Sequence, residues 1–264
     1  MENIEHIVRR PANRLHETPL LLQHGAWHGA WCWEQWLDYF SSLGYEVHAI
    51  SLPGHGNSPL NKWHINLYTL GNYVDALASE IAKISPTPVV IGHSMGGAIL
   101  QKYLENHQLP GAVLLASVPA TGIFSMLLRL LWRHPIPTLK GFLTLKLYHF
   151  VATPELAHDL FLSPDTAVDV ARLHEQLVNE SLAVGIQMII PFARLNKAKT
   201  PMLVMAAERD AFFSIAEEKA TAKRYEAEFV VFDGQAHNLM AEPAWQQVAD
   251  TIDDWITNEL RLPC

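Results

Sequence analysis

The 264-residue sequence predicts an α/β fold: a mostly parallel, doubly wound sheet with helices on both faces and a helical cap inserted. Three observations predict it. From residue 20 onward, short apolar runs alternate with amphipathic helical patterns, as parallel strands covered on both faces require. The alternation stops near residue 120, leaves only helical patterns, and resumes near residue 200. Finally, residues 89–98 (VVIGHSMGGA) read as a buried strand entering a tight turn, with a helix beginning straight after.

Taken in order, residues 4–9 suit an edge strand, and Pro11, Asn13 and Pro19 punctuate the stretch after it. Leu20, Leu21, Leu22 and Gln23 read as a buried strand ending in the loop His24-Gly25-Ala26-Trp27-His28-Gly29. Residues 33–43 are expected to be helical, with Trp33, Trp36, Leu37 and Phe40 at core spacing. Residues 46–51 form the next strand, and Pro53-Gly54-His55-Gly56-Asn57-Ser58 cannot be regular structure. Apolar residues at 70, 74, 77, 78, 81 and 84 predict a helix over 67–84, stopped by Pro86 and Pro88. After the helix that begins beyond Ser94 (Ile99, Leu100, Tyr103 and Leu104 on one face), residues 111–116 are another buried strand. Residues 120–199 show no strand, and an insertion of that length is expected to be a lid. The core is therefore placed at 1–119 and 200–264, and the cap at 120–199. Strand 202–206, helix 215–225, strand 228–232 and helix 243–260 complete the chain.

Composition narrows the function. Hydrophobic residues make up 49% of the chain, enough for a large core, and the net charge of −8 argues against nucleic-acid binding. Cys32 and Cys264 stand too far apart for a disulfide framework, which fits a reducing compartment, and a cytoplasmic location is expected. The first residues lack a basic segment followed by an apolar run, and no apolar stretch is long enough to cross a bilayer. No H-E-x-x-H, paired cysteines or carboxylate cluster occurs, so neither a metal nor a cofactor is expected. Within residues 123–151 the charges are Arg129, Arg133, Lys140 and Lys146, without an acid. One reading is a cap packing its apolar face on the core. The other is a greasy entrance for an acyl or lipid-like substrate, touching a membrane surface without stable insertion. Both can hold.

The chemistry centres on Ser94 within G-x-S-x-G, Gly92 to Gly96. That pattern sets a serine on a strained strand-to-helix turn with its hydroxyl clear of the sheet. Side chains at Gly92 or Gly96 would crowd the neighbouring elements, and the helix N-terminus aims free N–H groups at whatever the serine attacks. A serine needs a base, and the base needs an orienting acid. His237, in the loop after strand 228–232, and Asp210, in the loop after strand 202–206, come after Ser94 in the order Ser…Asp…His. Glu208 is the alternative acid. His24, His55 and His93 read as pocket wall or hydrogen-bonding neighbours, the side chain of His93 pointing away from the site. The substrate pocket is expected from Trp27, His24, Phe124, Leu128, Trp132 and Asn238.

Gln23-His24-Gly25-Ala26, residues 52–58, Gly92-His93-Ser94-Met95-Gly96-Gly97, Glu208-Arg209-Asp210 and Ala236-His237 together resemble the α/β-hydrolase superfamily over essentially the whole chain. Residues 24–33 (HGAWHGAWCW) resemble the N-terminal signature of plant methyl esterases and hydroxynitrile lyases, while the remainder is more similar to bacterial lysophospholipase-type hydrolases. The resemblance implies that the backbone N–H groups of Ala26 and Met95 form an oxyanion hole. It implies a cofactor-free serine hydrolase cleaving a small-molecule carboxylic ester through an acyl-enzyme on Ser94, and the greasy reading of residues 123–151 gives that ester an apolar acyl group. Two alternatives use the same residues: a lyase or carbon–carbon hydrolase, and a non-catalytic receptor for a small ligand. The resembling lyases carry a lysine after the catalytic histidine and a threonine in the oxyanion loop. This chain has Asn238 and Gly25 there, which weighs against cyanohydrin cleavage.

Overall fold

A computed structural model describes residues 3–62, 64–194, 200–260 and 262. Seven strands, β1 (His6–Arg9), β2 (Leu20–Gln23), β3 (Val47–Ile50), β4 (Val89–His93), β5 (Ala112–Leu115), β6 (Met202–Ala207) and β7 (Glu228–Phe232), form one sheet. Its order is β1-β3-β2-β4-β5-β6-β7, and only the edge pair β1–β3 is antiparallel. β2 to β6 are buried along their whole length, which is why they read as short, mostly apolar runs.

The helices are α1 (Glu34–Ser42), α2 (Leu70–Ile81), α3 (Met95–Tyr103), α4 (Phe124–Arg133), α5 (Pro135–Leu143), α6 (Pro154–Phe161), α7 (Val170–Glu175), α8 (Leu182–Gln187), α9 (Ile215–Tyr225) and α10 (Trp245–Asp254). Side chains alternate along each strand and divide the core in two. Leu20, Leu22, Val89, Ile91, Val113 and Leu115 pack with α1 and α10, and Leu21, Val90, Leu114 and Val204 pack with α2, α3 and α9. Both faces are thus covered.

Among the helix bounds that differ from the sequence expectation, two stand out. α2 starts at Leu70 because Thr69 and Asn72 form a reciprocal capping box; residues 65–67 make a 3₁₀ turn instead. The last helix does not run evenly to 260 but passes into a π-helical stretch at Trp255–Leu260. α4 to α8 all fall between β5 and β6, and the described residues of that segment contain no strand. Residues 195–199, at its expected boundary, lie outside the described residues.

The topology fixes where a site can form. The chain leaves β2 for β3 on one side, then crosses back past β2 to β4. The loops after β2 and β4 therefore diverge from neighbouring strands at a topological switch point, where open α/β sheets hold their ligands.

Candidate active site

Ser94 lies at that switch point with φ 52° and ψ −118°, a conformation that costs a side-chain-bearing residue about 1–3 kcal/mol. The surroundings enforce it. Its N–H donates to Leu115 O at 3.0 Å, and its carbonyl accepts from the N–H groups of Gly97 (3.0 Å) and Val118 (3.1 Å). A Cβ on Gly92 would stand 2.6 Å from Gly96 O, and one on Gly96 would stand 2.5 Å from Gln23 O. Only glycines let α3 begin this close to the ends of β2 and β4.

The loop after β2 closes over the same point. A Cβ on Gly25 would come within 2.8 Å of the Ser94 Cβ, so glycine is what brings Ala26 beside the serine. Two buried histidines hold the loop. His24 Nε2 accepts from the Leu52 N–H (2.9 Å) while Nδ1 donates to Gly25 O (2.7 Å). His28 Nδ1 donates to Ala26 O (2.8 Å), and its Nε2 accepts from Asn238 Nδ2 (3.1 Å). Each ring thus uses one donor and one acceptor, the pattern of a neutral imidazole. Burial pushes His24 well below the ordinary histidine range and His28 down to about 4.

His237 and Asp210 arrive from the loops after β7 and β6. His237 Nδ1 lies 2.8 Å from Asp210 Oδ2, and both side chains are almost fully buried. The other carboxylate oxygen accepts from the N–H groups of Phe212 (2.7 Å) and Phe213 (3.1 Å), which locks its orientation. Glu208, the alternative acid, is exposed and caps the Gly234 N–H at 2.7 Å. His93, the neighbour of Ser94, donates from Nε2 to His237 O at 3.0 Å, and the two ring centres are 4.8 Å apart. Burial and the adjacent His237 hold His93 well below its ordinary range. The loop carrying His237 is thereby tied to the turn at Ser94. Burial and then the Asp210 charge push the Glu218 carboxyl well above the ordinary carboxylate range.

Ser94, Ala26 and Met95 line one cavity. Its walls are almost wholly apolar, with Trp27, Leu147, Phe150, Met188, Phe212 and Phe213 among them. Among the described residues Glu180 is the only ionisable side chain lining it, and its oxygens are engaged: by Tyr73 OH (3.0 Å), by the Ser181 N–H (2.6 Å) and by His55 Nε2 (2.9 Å). Among the described residues, no group of three or more His, Cys, Asp or Glu could hold a metal ion, and no helix is long and apolar enough to cross a membrane.

The profile of the alpha/beta hydrolase family matches residues 20–251. The chain belongs to that family. Monoacylglycerol lipase of Mycolicibacterium smegmatis is 24% identical over 257 residues, covering 91% of this chain and 88% of that one. Pyrethroid hydrolase of Sphingobium wenxiniae is 28% identical over 103 residues, 38% of this chain; the match spans 36%, about a third, of that relative's length. An esterase from Exiguobacterium antarcticum shares the fold, with a TM-score of 0.71 at 16% identity over 97% of this chain and 96% of that one.

Within this alpha/beta hydrolase, five of the six residues expected in the pocket lie elsewhere. Trp27 lines the cavity. Phe124, Leu128 and Trp132 do not: α4 turns Met126 and Leu130 inward and leaves these three outside, Trp132 at 89% exposure. His24 and Asn238 are buried behind the loops they brace rather than facing the cavity. Sequence reasoning missed Phe150, Leu147, Met188 and Glu180. Phe212 and Phe213 carried a usable signal, since any acid placed by the loop after β6 brings the next two side chains along.

Proposed function

We propose that the protein is a serine hydrolase that cleaves carboxylic esters with an apolar acyl group. The observation that carries this reading is the strained Ser94 lining an apolar cavity, together with a histidine–aspartate pair held at 2.8 Å whose histidine carbonyl is bonded by His93, the residue before the serine. Ser94 Oγ attacks the ester carbonyl. His237 takes the proton at Nε2, because Nδ1 is committed to Asp210, and Asp210 stabilises the resulting imidazolium. The N–H groups of Ala26 and Met95, which share the cavity with Ser94, receive the oxyanion; one such donor is worth on the order of 3 kcal/mol in the transition state. His237 then protonates the leaving alcohol and later activates water against the acyl-enzyme.

In this reading α4 to α8 serve as the cap over the acyl pocket, and Glu180 fastens that cap to the core through His55 and Tyr73. The names of the lipase and esterase relatives support ester chemistry. A free thiol at Cys32 suits a cytoplasmic site of action. The test is turnover of p-nitrophenyl esters from C2 to C8, with an active-site fluorophosphonate probe read by mass spectrometry. Turnover with the label on Ser94 supports the proposal; neither turnover nor label on any serine defeats it.

A further inference from the structure

The outer face of α4 and α5 is built the wrong way round for a surface in water. α5 turns Thr138 and Gly141 inward and leaves Ile136, Leu139 and Leu143 outside, with Ile136 77% and Leu143 83% exposed. Leu145, just beyond its end, is exposed as well. α4 is apolar on two sides: Met126 and Leu130 face the core, while Phe124, Leu128, Leu131 and Trp132 face outward. A surface helix normally confines its apolar residues to one stripe. The patch continues onto Ile186 and Ile190, because the N–H groups of Ile123 and Phe124 bond Met188 O (2.8 Å) and Ile189 O (3.1 Å) and draw the start of α4 to the end of α8. It also reaches the cavity, since the partly exposed Phe142 is one of the lining residues. The rest of the described surface adds only Leu15, Leu60 and Leu67 to the large exposed apolar side chains. Contiguous apolar patches of this kind mark interaction sites.

Charge identifies the occupant. No Asp or Glu occurs between Glu105 and Glu155 in a chain of net charge −8, whereas Arg129, Arg133, Lys140 and Lys146 all fall there. Arg129 and Arg133 pair with Glu217 and Asp159 at the edge of the face, and Lys140 and Lys146 are exposed beside the apolar residues. Two copies of this face would set lysines against lysines. An anionic bilayer answers both features, with headgroup phosphates for the lysines and the acyl boundary for the side chains. We infer that α4 and α5 form a peripheral docking surface for anionic phospholipid membranes, which seats the mouth of the cavity on the lipid. At ten and nine residues, these helices can lie in the interface but not span it.

The inference stands apart from the ester reading, because docking needs no turnover. The test is co-sedimentation of the whole protein with vesicles of phosphatidylcholine alone and with one-third phosphatidylglycerol added. The parent should bind the mixed vesicles about tenfold or more tightly than the neutral ones. The triple variant Trp132→Ser, Ile136→Ser, Leu143→Ser should lose at least tenfold on mixed vesicles. Lys140→Glu with Lys146→Glu should remove the preference for phosphatidylglycerol. An unchanged thermal melt shows that the triple variant is folded; if it is not, Trp132→Ser alone should still weaken binding several-fold. Equal binding by parent and serine variants overturns the inference, as does no binding of the parent to mixed vesicles. A parent dimer in light scattering that the serine variants dissolve, without vesicle binding, overturns it in favour of a second copy of the chain.

Discussion

At the junction of β4 and α3 hardly a methyl group could be added without collision, whereas the outer faces of α4 and α5 expose leucine, isoleucine and tryptophan that touch little of the protein. The first region has its backbone strained at Ser94 and held by hydrogen bonds from β5 and the loop after it. The side chains of the second divide between cavity wall and open surface. Pre-organisation therefore sits on the sheet side of the cavity, and breadth of accommodation on the helical side. Substitutions on the sheet side should change whether the protein turns over, and those on the helical side should change what it turns over.

The sharpest test of that division is Ser94→Ala. Turnover of p-nitrophenyl butyrate should fall on the order of 10⁶-fold, with the thermal midpoint close to that of the parent. His237→Ala should match it, since members of one catalytic unit fail together. If the alanine variant at 94 keeps even about a tenth of parent kcat, the sheet side is not where the chemistry lies.

Asp210→Asn comes next, with kcat down by about 10⁴ through an imidazole held in the wrong tautomer. Glu208→Gln should stay within a few-fold, because that carboxylate only caps the Gly234 N–H. The opposite ranking in kcat would move the acid to Glu208 and leave the buried Asp210–His237 bond without a catalytic purpose.

Acid should separate the two regions by stability. His28 links the Ala26 loop to Asn238 as a neutral ring, pushed to about 4 chiefly by burial, opposed by its bond to Ala26 O and lowered further by His237 and His55. Unfolded, it titrates near 6.5. Between those values the unfolded chain takes up a proton that the fold refuses, so stability falls as pH drops from 6.5 towards 4 and does not change above that window on this account. The loss is roughly 3 kcal/mol for this one group. His28→Gln should flatten the slope of urea-unfolding free energy against pH by about one proton. An unaltered slope would mean that acid does not attack the fold through His28.

What the sequence made legible obeys the same division. Gly92, Gly96 and Gly25 are demanded by contacts a few residues or one strand away, so a short pattern carries them. Strand and helix placement was legible because β2 to β6 are buried on both faces and their neighbours on one. The cavity wall between β5 and β6 was not. Leu127 and Leu128 are adjacent in sequence, yet the first lines the cavity and the second faces solvent, because α4 is apolar on two sides and its rotation is set by Met126 and Leu130 finding the core. Periodicity cannot choose between two apolar faces. The roles of His28, Asn238 and Glu180 were hidden for another reason: each depends on a partner more than a hundred residues away.

The smallest expected effect decides whether the helical side is a working wall or only a cover. If the cavity holds the acyl chain, each added methylene is worth roughly 0.8 kcal/mol, about a fourfold gain in kcat/KM per carbon from C2 until the space is filled. Phe150 stands between the two regions: it lines the cavity, and its ring centre lies 6.3 Å from Trp27 on the β2 loop. Phe150→Ala should shift the preferred chain length upward by lengthening the space, while costing short esters little because their carbonyl is held by the sheet side. Trp132→Ala, on the same segment but pointing outward, should leave the profile of soluble esters as it was. The measurement is kcat/KM for p-nitrophenyl esters from C2 to C12 in the parent and both variants. A flat profile in the parent would reduce α4 to α8 to a cover. Equal shifts in the two variants would mean that general loosening, rather than contact with the acyl chain, sets the preference.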